Sequence, residues 1–191
     1  MEEKIRILLV EDDIDFAFLI KKRIKKDKRL ECTGYAQNKD SGIKLAKELK
    51  PDIVLMDLNL SGSELDGIGA AKEIKLTTGA KVLLLTSFEE PEITINASKK
   101  AFASGYVYKS QCQTLADTIY KTATSITPQE LFIKEMIINE LTSAEQGVIK
   151  EIAGGVMGVS SISTIANQKT SIFKKLGIKS TDELVRLIKY W

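Results

Sequence analysis

Histidine is absent from all 191 residues. The chain therefore offers no imidazole metal ligand, no histidine general base and no phosphohistidine, and any phosphoryl donor of that kind must be another molecule. Only two cysteines are present, Cys32 and Cys112. They form neither a metal-ligand spacing nor a disulfide framework, and both are expected to be reduced bystanders. No stretch approaches the roughly 20 apolar residues that a membrane span needs, and the apolar run in MEEKIRILLVEDD is broken at once by acids. A soluble, cytoplasmic protein without membrane contact is expected. An excess of charge of one sign is also lacking, because 28 Lys and Arg face 26 Asp and Glu for a formal charge of +2. Bulk charge thus makes no case for a polyanion partner, and a nucleic-acid role would require a local patch. Internal repeats and low-complexity segments are missing as well.

What the chain does have is apolar content, 43% of its residues, enough for two modest cores at this length. The first part alternates short apolar runs with amphipathic stretches. IRILLVED (Ile5 to Asp12), CTGYA (Cys32 to Ala36), DIVLMD (Asp52 to Asp57), KVLLLTS (Lys81 to Ser87) and GYVYK (Gly105 to Lys109) read as strands. Between them DFAFLIKKRIKK, SGIKLAKELK, IGAAKEIK and the run from Glu90 to Ala103 carry helical periodicity, and a further helix covers about Gln113 to Ser125. This regular β-α alternation predicts an α/β fold, a doubly wound five-stranded parallel sheet of the flavodoxin-like kind. From ITPQ onward the pattern is wholly helical, which predicts a second, smaller all-α domain reached through a helical linker rather than a flexible tether.

In a doubly wound sheet the functional crevice lies beyond the carboxyl ends of the strands. Glu11, Asp12 and Asp13 end the first predicted strand, Asp57 the third, Thr86 the fourth and Lys109 the fifth. A single strand-end acid usually caps a helix; a set spread over four strand ends points to a site. Converging carboxylates repel one another and need a cation, and the oxygen ligands of Glu11, Asp12 and Asp57 suit Mg²⁺. With charge neutralised, an Asp57 oxygen can attack phosphorus to give an acyl phosphate, while the Thr86 hydroxyl and the Lys109 ammonium stabilise the developing charge.

The motifs LLVEDD, LMDLNLSG, LLLTS and GYVYKS, in this order and spacing, resemble the receiver domain of two-component response regulators over residues 1–125. The resemblance implies that Asp57 is the phosphoacceptor and that Glu11, Asp12 and the Asn59 backbone carbonyl join it around Mg²⁺. It further implies that Thr86 and Tyr106 form a switch pair, that Lys109 is the phosphate counter-ion, and that Asn59 and Phe88 tune the lifetime of the acyl phosphate. The sequence departs from the family after LMDLNLSG, where the loop through SELDGI is longer and Ser61 replaces a customary proline, so a more mobile mouth is expected. An aspartyl phosphatase is disfavoured, because Asn59 stands where such enzymes carry a second acid. The chain is thus expected to be no enzyme beyond slow self-dephosphorylation.

LTSAEQGVIKEIAGG, TIANQKTSIFKKLG and IKSTDELVRLI resemble, in that order, the helix-turn-helix output domain of LuxR/NarL-type regulators, placed at 141–191 behind a linker helix at 126–140. Between Gly155 and Thr164, however, only VMGVSSIS intervenes, about two helical turns short of the family pattern. A loop is expected there in place of the scaffold helix. In the next helix Ile162, Ile165, Ala166, Ile172, Phe173 and Leu176 fall on one arc, with Lys169 anomalously among them. The opposite face offers Thr164, Asn167, Gln168, Ser171, Lys174 and Lys175 as candidate contacts to double-stranded DNA. Two outputs stay open at this point: phosphorylation-dependent transcriptional control through DNA, or a degenerate domain acting by protein–protein interaction. The expected partners are a histidine kinase, DNA and, when phosphorylated, a second copy of the chain.

Overall fold

A computed structural model describes residues 3–60, 64–154 and 162–189, with the side chains of 64–65 and 162–164 outside the description. The first part runs β1 (Ile5–Val10), α1 (Ile14–Lys26), β2 (Leu30–Ala36), α2 (Lys39–Leu49), β3 (Ile53–Asp57), α3 (Glu64–Thr78), β4 (Lys81–Thr86), α4 (Pro91–Ala101), β5 (Gly105–Tyr108) and α5 (Leu115–Thr124). The strands form one parallel sheet in the order β2-β1-β3-β4-β5. This is the doubly wound architecture that the β-α alternation predicts. Strands β3 and β4 are buried along their whole length, as continuous apolar runs in a sheet covered on both faces require. Alternate residues separate cleanly. Leu8, Val10, Val54, Met56, Val82 and Leu84 pack under α2, α3 and α4, whereas Ile7, Leu9, Ile53, Leu55, Leu83 and Leu85 pack under α1 and α5.

Two boundaries differ from the sequence reading. β1 stops at Val10, which leaves Glu11 and Asp12 beyond the strand end. A 3₁₀ segment, Lys109–Thr114, takes up what was expected as the end of β5 and the start of the last helix, so Lys109 is the first residue past the strand.

The second part consists of α6 (Pro128–Ile138), α7 (Ser143–Gly154), α8 (Ile162–Leu176) and α9 (Thr181–Ile188). Local chemistry sets their starts. Thr127 accepts from the Glu130 amide at 3.1 Å with Pro128 in the first turn. Thr142 and Glu145 exchange bonds, 2.7 Å from the Thr142 amide to Oε2 and 3.3 Å from the Glu145 amide to Oγ1, a reciprocal capping box written in the sequence as TSAE. The loop expected in place of the scaffold helix falls on 155–161, outside the described residues.

The helical part does not stand apart from the sheet. Leu76 of α3 and Phe102, just after α4, are buried in one cluster with Ile133, Ile137, Val148, Ile149, Ile172, Leu176, Leu184 and Leu187. Phe102 sits in left-handed backbone (φ 53°), a conformation costing a non-glycine residue about 1 kcal/mol or more. Burial of its ring among the output helices, worth roughly 1.5–3 kcal/mol for a side chain of this size, offsets that strain. Polar bonds close the seam: Lys72 Nζ donates to the Leu176 carbonyl at 2.8 Å, Arg186 to the Leu76 carbonyl at 3.3 Å, and Lys99 pairs with Glu140 at 2.8 Å. At the other end, the Gln129 side chain of α6 accepts from the Tyr106 amide of β5 at 3.2 Å, so α6 caps the open edge of the sheet.

Candidate functional site

The acids gather at the carboxyl end of the sheet because β1 and β3 are neighbours in register, with Val10 opposite Met56. Glu11 and Asp57 are buried, Asp12 is half-buried, and one oxygen from each lies within 4.8 Å of the others. Asp13, the fourth acid of the strand ends, turns away and caps α1, accepting from the Asp15 and Phe16 amides at 2.9 and 3.0 Å. The structure therefore sorts a run of three acids into two for the site and one for a helix start.

Lys109 closes the cluster. Its ammonium lies 2.8 Å from Glu11 Oε1 and 3.1 Å from Asp57 Oδ2, and 4.6 Å above the Phe16 ring. Burial alone would depress this ammonium, but the Glu11 bond and the Asp57 charge outweigh it and hold its pKa above the usual lysine value. Glu11 moves in the unusual direction for an acid. Desolvation, only partly offset by Lys109 and reinforced by the Asp57 charge, pushes it up to about 7. Its second oxygen, Oε2, is buried without a hydrogen-bond partner. Buried unpartnered carboxylate oxygen is costly, and one lysine does not neutralise three carboxylates. An all-oxygen set with an orphaned buried atom fits a small hard cation.

The neighbouring strands bring the remaining predicted residues to the rim. Thr86 is fully buried at the end of β4, its hydroxyl accepting from the Phe88 amide at 3.0 Å. Tyr106 lies on β5 opposite Leu84, half-buried, with its ring centroid 5.5 Å from that of Tyr108. The Asn59 amide donates to Asp57 Oδ1 at 3.3 Å, which places the Asn59 peptide beside the acid cluster. Ser61 lies outside the described residues.

Four residues important to this arrangement escape the sequence reading. Phe16 roofs Lys109. Gly67 lets α3 press on the end of β3, since a Cβ there would run into the carbonyl oxygens of Asp57 and Leu58. Gln129 ties α6 to the strand carrying Tyr106. Glu145 organises α8, and the signal for it was the TSAE cap. For Phe16 and Gln129 no local pattern exists, because each acts through a contact between distant segments.

The candidate nucleic-acid face is divided. Asn167 and Lys174 are exposed. Lys175 is exposed as well, but its ammonium and Ser171 both bond the buried Glu145, with Ser171 Oγ donating to Oε1 at 2.6 Å and Lys175 to Oε2 at 2.7 Å. Gln168 is half-buried, and the Thr164 side chain lies outside the description. On the apolar arc Ile172 and Leu176 are buried and Ile165 and Phe173 partly so, but Ala166 is exposed; Lys169 is half-buried. Of the last helix, Leu184, Leu187 and Ile188 are buried and Val185 is exposed. Among the described residues no helix is long and apolar enough to cross a membrane.

A doubly wound sheet of this order with acids and a lysine at its carboxyl edge defines a receiver, and the chain belongs to the response regulator receiver domain family, whose profile matches residues 7–120. Relatives spanning nearly its full length place it among two-component response regulators of the NarL/LuxR type. The transcriptional regulatory protein YdfI of Bacillus subtilis is 28% identical, with 95% of this chain and 94% of that protein covered. The response regulator VraR of Staphylococcus aureus is 26% identical with the same shares covered. Among solved structures, a LuxR-family two-component response regulator from Aurantimonas sp. matches with a TM-score of 0.58 and 27% identity over 72% of this chain and 98% of that one. RcsB of Salmonella enterica serovar Typhimurium, solved bound to the promoter rprA, shares the fold over 98% of this chain and 99% of its own, with a TM-score of 0.58 and 21% identity.

Proposed function

We propose that this regulator accepts a phosphoryl group on Asp57 from a partner histidine kinase and converts it into control of transcription through its helical part. The observation that carries the first half is the half-buried Lys109 bridging Glu11 and Asp57 beside an unpartnered Glu11 oxygen. In this reading Glu11, Asp12, Asp57 and the Asn59 carbonyl hold Mg²⁺, which supplies charge neutralisation at the reacting phosphoryl oxygens. An ionised Asp57 oxygen forms the new bond to phosphorus as the phosphorus–nitrogen bond to the kinase imidazole breaks, and the leaving imidazole nitrogen takes up a proton from solvent. Lys109 then stands ready as counter-ion to the phosphoryl group, and the buried Thr86 hydroxyl is the donor that would leave the Phe88 amide to meet it. Tyr106 follows as the second member of the switch, and it adjoins the linker helix through Gln129.

Residues 1–125 serve as receiver, 126–140 as linker helix and 141–191 as output domain. The transcriptional half is supported by the NarL/LuxR-type relatives and by the exposed Asn167 and Lys174 on α8, with Thr164 and Gln168 as further candidates. Phosphorylation favours an arrangement in which two copies pair and read DNA. The inward turn of Ser171 and Lys175 narrows that face and keeps one rival reading in play, an output that binds a protein instead of DNA.

Acetyl phosphate with Mg²⁺ tests the acceptor: wild type forms an acid-stable, base-labile phosphoprotein and Asp57→Asn does not. Equal labelling of both would overturn the assignment. Selection of genome fragments by the phosphorylated protein tests the output. Salt-steep, sequence-selective capture supports DNA reading, and no capture at low salt moves the function to a protein partner.

A further inference from the structure

At the opposite edge of the sheet from Asp57, the amino ends of β3 and β4 and the last helix enclose a cleft of about 540 Å³. Its walls are strongly cationic. Lys47, Lys50 and Lys81 come from the receiver side, Arg186 from α9 and Lys189 from just beyond it; Lys81 is held by Glu130 at 3.0 Å, and among the described lining residues Asp52 is the one carboxylate. Asp52 offsets one of these charges, and its Oδ2 accepts from the Arg6 amide at 2.7 Å. Lys47 holds Glu73 in an exposed pair at 3.0 Å, which contributes little to its placement. Among the described residues Lys50 and Arg186 face no carboxylate within ion-pair distance, and Arg186 gives one nitrogen to the Leu76 carbonyl. That bond anchors the guanidinium at the mouth while leaving other N–H groups for a ligand.

Like charges brought together by folding cost energy unless an anion offsets them, and Lys50 and Arg186 come from two parts of the chain that need not have met. The floor, formed by Pro51, Ala80 and Ala123, is apolar and small-residued, and the volume falls in the range of small-molecule pockets. We propose that this cleft binds a small polyphosphate, a ligand with at least two linked phosphoryl groups, free or carried on a nucleoside. Its phosphates bridge Lys50 of the receiver side and Arg186 of α9. Such a ligand is bound only where the two parts are docked, so it stabilises the docked arrangement by mass action. The site lies a full strand length from Asp57, roughly 17 Å at the usual rise per residue, and does not depend on the phosphoacceptor reading.

Calorimetric titration of the full chain in EDTA, which keeps divalent cations off the acidic site, tests this with pyrophosphate, ATP and adenosine as probes. Pyrophosphate and ATP are expected to bind one to one and more weakly at high salt, and adenosine not to bind. A stronger ATP signal identifies the nucleoside-borne source and parity identifies the free one; both support the cleft. Lys50→Ala and Arg186→Gln, checked for native helix content, are expected to weaken binding at least about tenfold, as loss of a charged hydrogen bond does. Lys100→Ala, on exposed α4, should leave it unchanged. The proposal is overturned if pyrophosphate does not saturate the protein at low salt, if adenosine binds as well as ATP, or if Lys100→Ala weakens binding equally. Weaker capture of duplex DNA by the two cleft variants, without small-anion binding, would also overturn it by making the patch a DNA backbone contact.

Discussion

Lys81 and Glu130 meet at 3.0 Å with side chains only 7% and 9% exposed, one opening β4 and the other in the first turn of the linker helix. The lysine also donates to the Ser125 carbonyl at 3.0 Å, so the pair pins the junction between the two parts from both sides. Removing one member leaves the other charge buried without its ion-pair partner. Glu130→Ala is expected to lower unfolding free energy by about 3 kcal/mol, and the double substitution Lys81→Met with Glu130→Leu to cost clearly less. Urea denaturation of wild type, Glu130→Ala, Lys81→Met, Glu130→Leu and the double variant measures this, and additive losses would show that the pair is not coupled.

Gly67 is the point where α3 rests on the strand that carries Asp57. Adding a single methyl group drives it into the Asp57 and Leu58 carbonyls, so the strand end must shift. Gly67→Ala is expected to retain the fold but to slow phosphoryl uptake from acetyl phosphate by at least about tenfold, since misplacement of about 1 Å can cost far more than that. An unchanged rate would show that the strand end tolerates the displacement.

Gln129 of α6 accepts from the Tyr106 amide of β5 at 3.2 Å and so joins the two parts of the chain. Gln129→Ala leaves the Tyr106 amide without its acceptor, and hydrogen exchange at that amide should speed up while amides of β3 stay protected. Uniform acceleration over the sheet would instead mean that the contact supports global stability.

Glu145 allows a pH test. The bonds from Lys175 and Ser171 outweigh desolvation and hold its pKa near 2, below the ordinary 4.5. A depressed acid contributes stability that is complete above the unfolded value and is lost as pH falls through the folded one. The melting temperature of wild type should therefore fall between about pH 4.5 and 2 more steeply than that of Glu145→Gln, followed through α-helical circular dichroism. Parallel curves would remove Glu145 from the acid response.

The architecture was readable because its determinants are local. Apolar runs such as LLLTS can only be central strands, and TSAE and TPQE carry their own helix starts. The acid site was readable too, since Glu11, Asp57 and Lys109 each sit just where a strand runs out. What escaped depends on partners distant in the chain. No pattern around Lys175 or Ser171 reveals that Glu145 lies beneath them, so a polar helix face looked like a single surface although part of it is internal wiring. Ala166 failed for a related reason: helical periodicity places it on the apolar arc, but no described helix covers it. Nothing in the sequence around Phe102 and Leu76 marks them as partners of the C-terminal helices, and only the packed structure shows it.

That shared core sets the terms on which a signal can act. With Leu76 and Phe102 among the output helices, release of those helices bares apolar surface on both sides at once, so the chain behaves as a latch rather than as beads on a string. Reversing a latch that is 99% closed requires the incoming modification to favour the open form about 10⁴-fold, or about 5.5 kcal/mol. A single phosphoryl group on Asp57 would have to deliver that difference through Tyr106, Gln129 and α6. Any molecule that holds the seam shut raises the threshold, and any second copy that covers the bared faces lowers it, so the same apolar residues that complete the fold also decide how strong a stimulus must be.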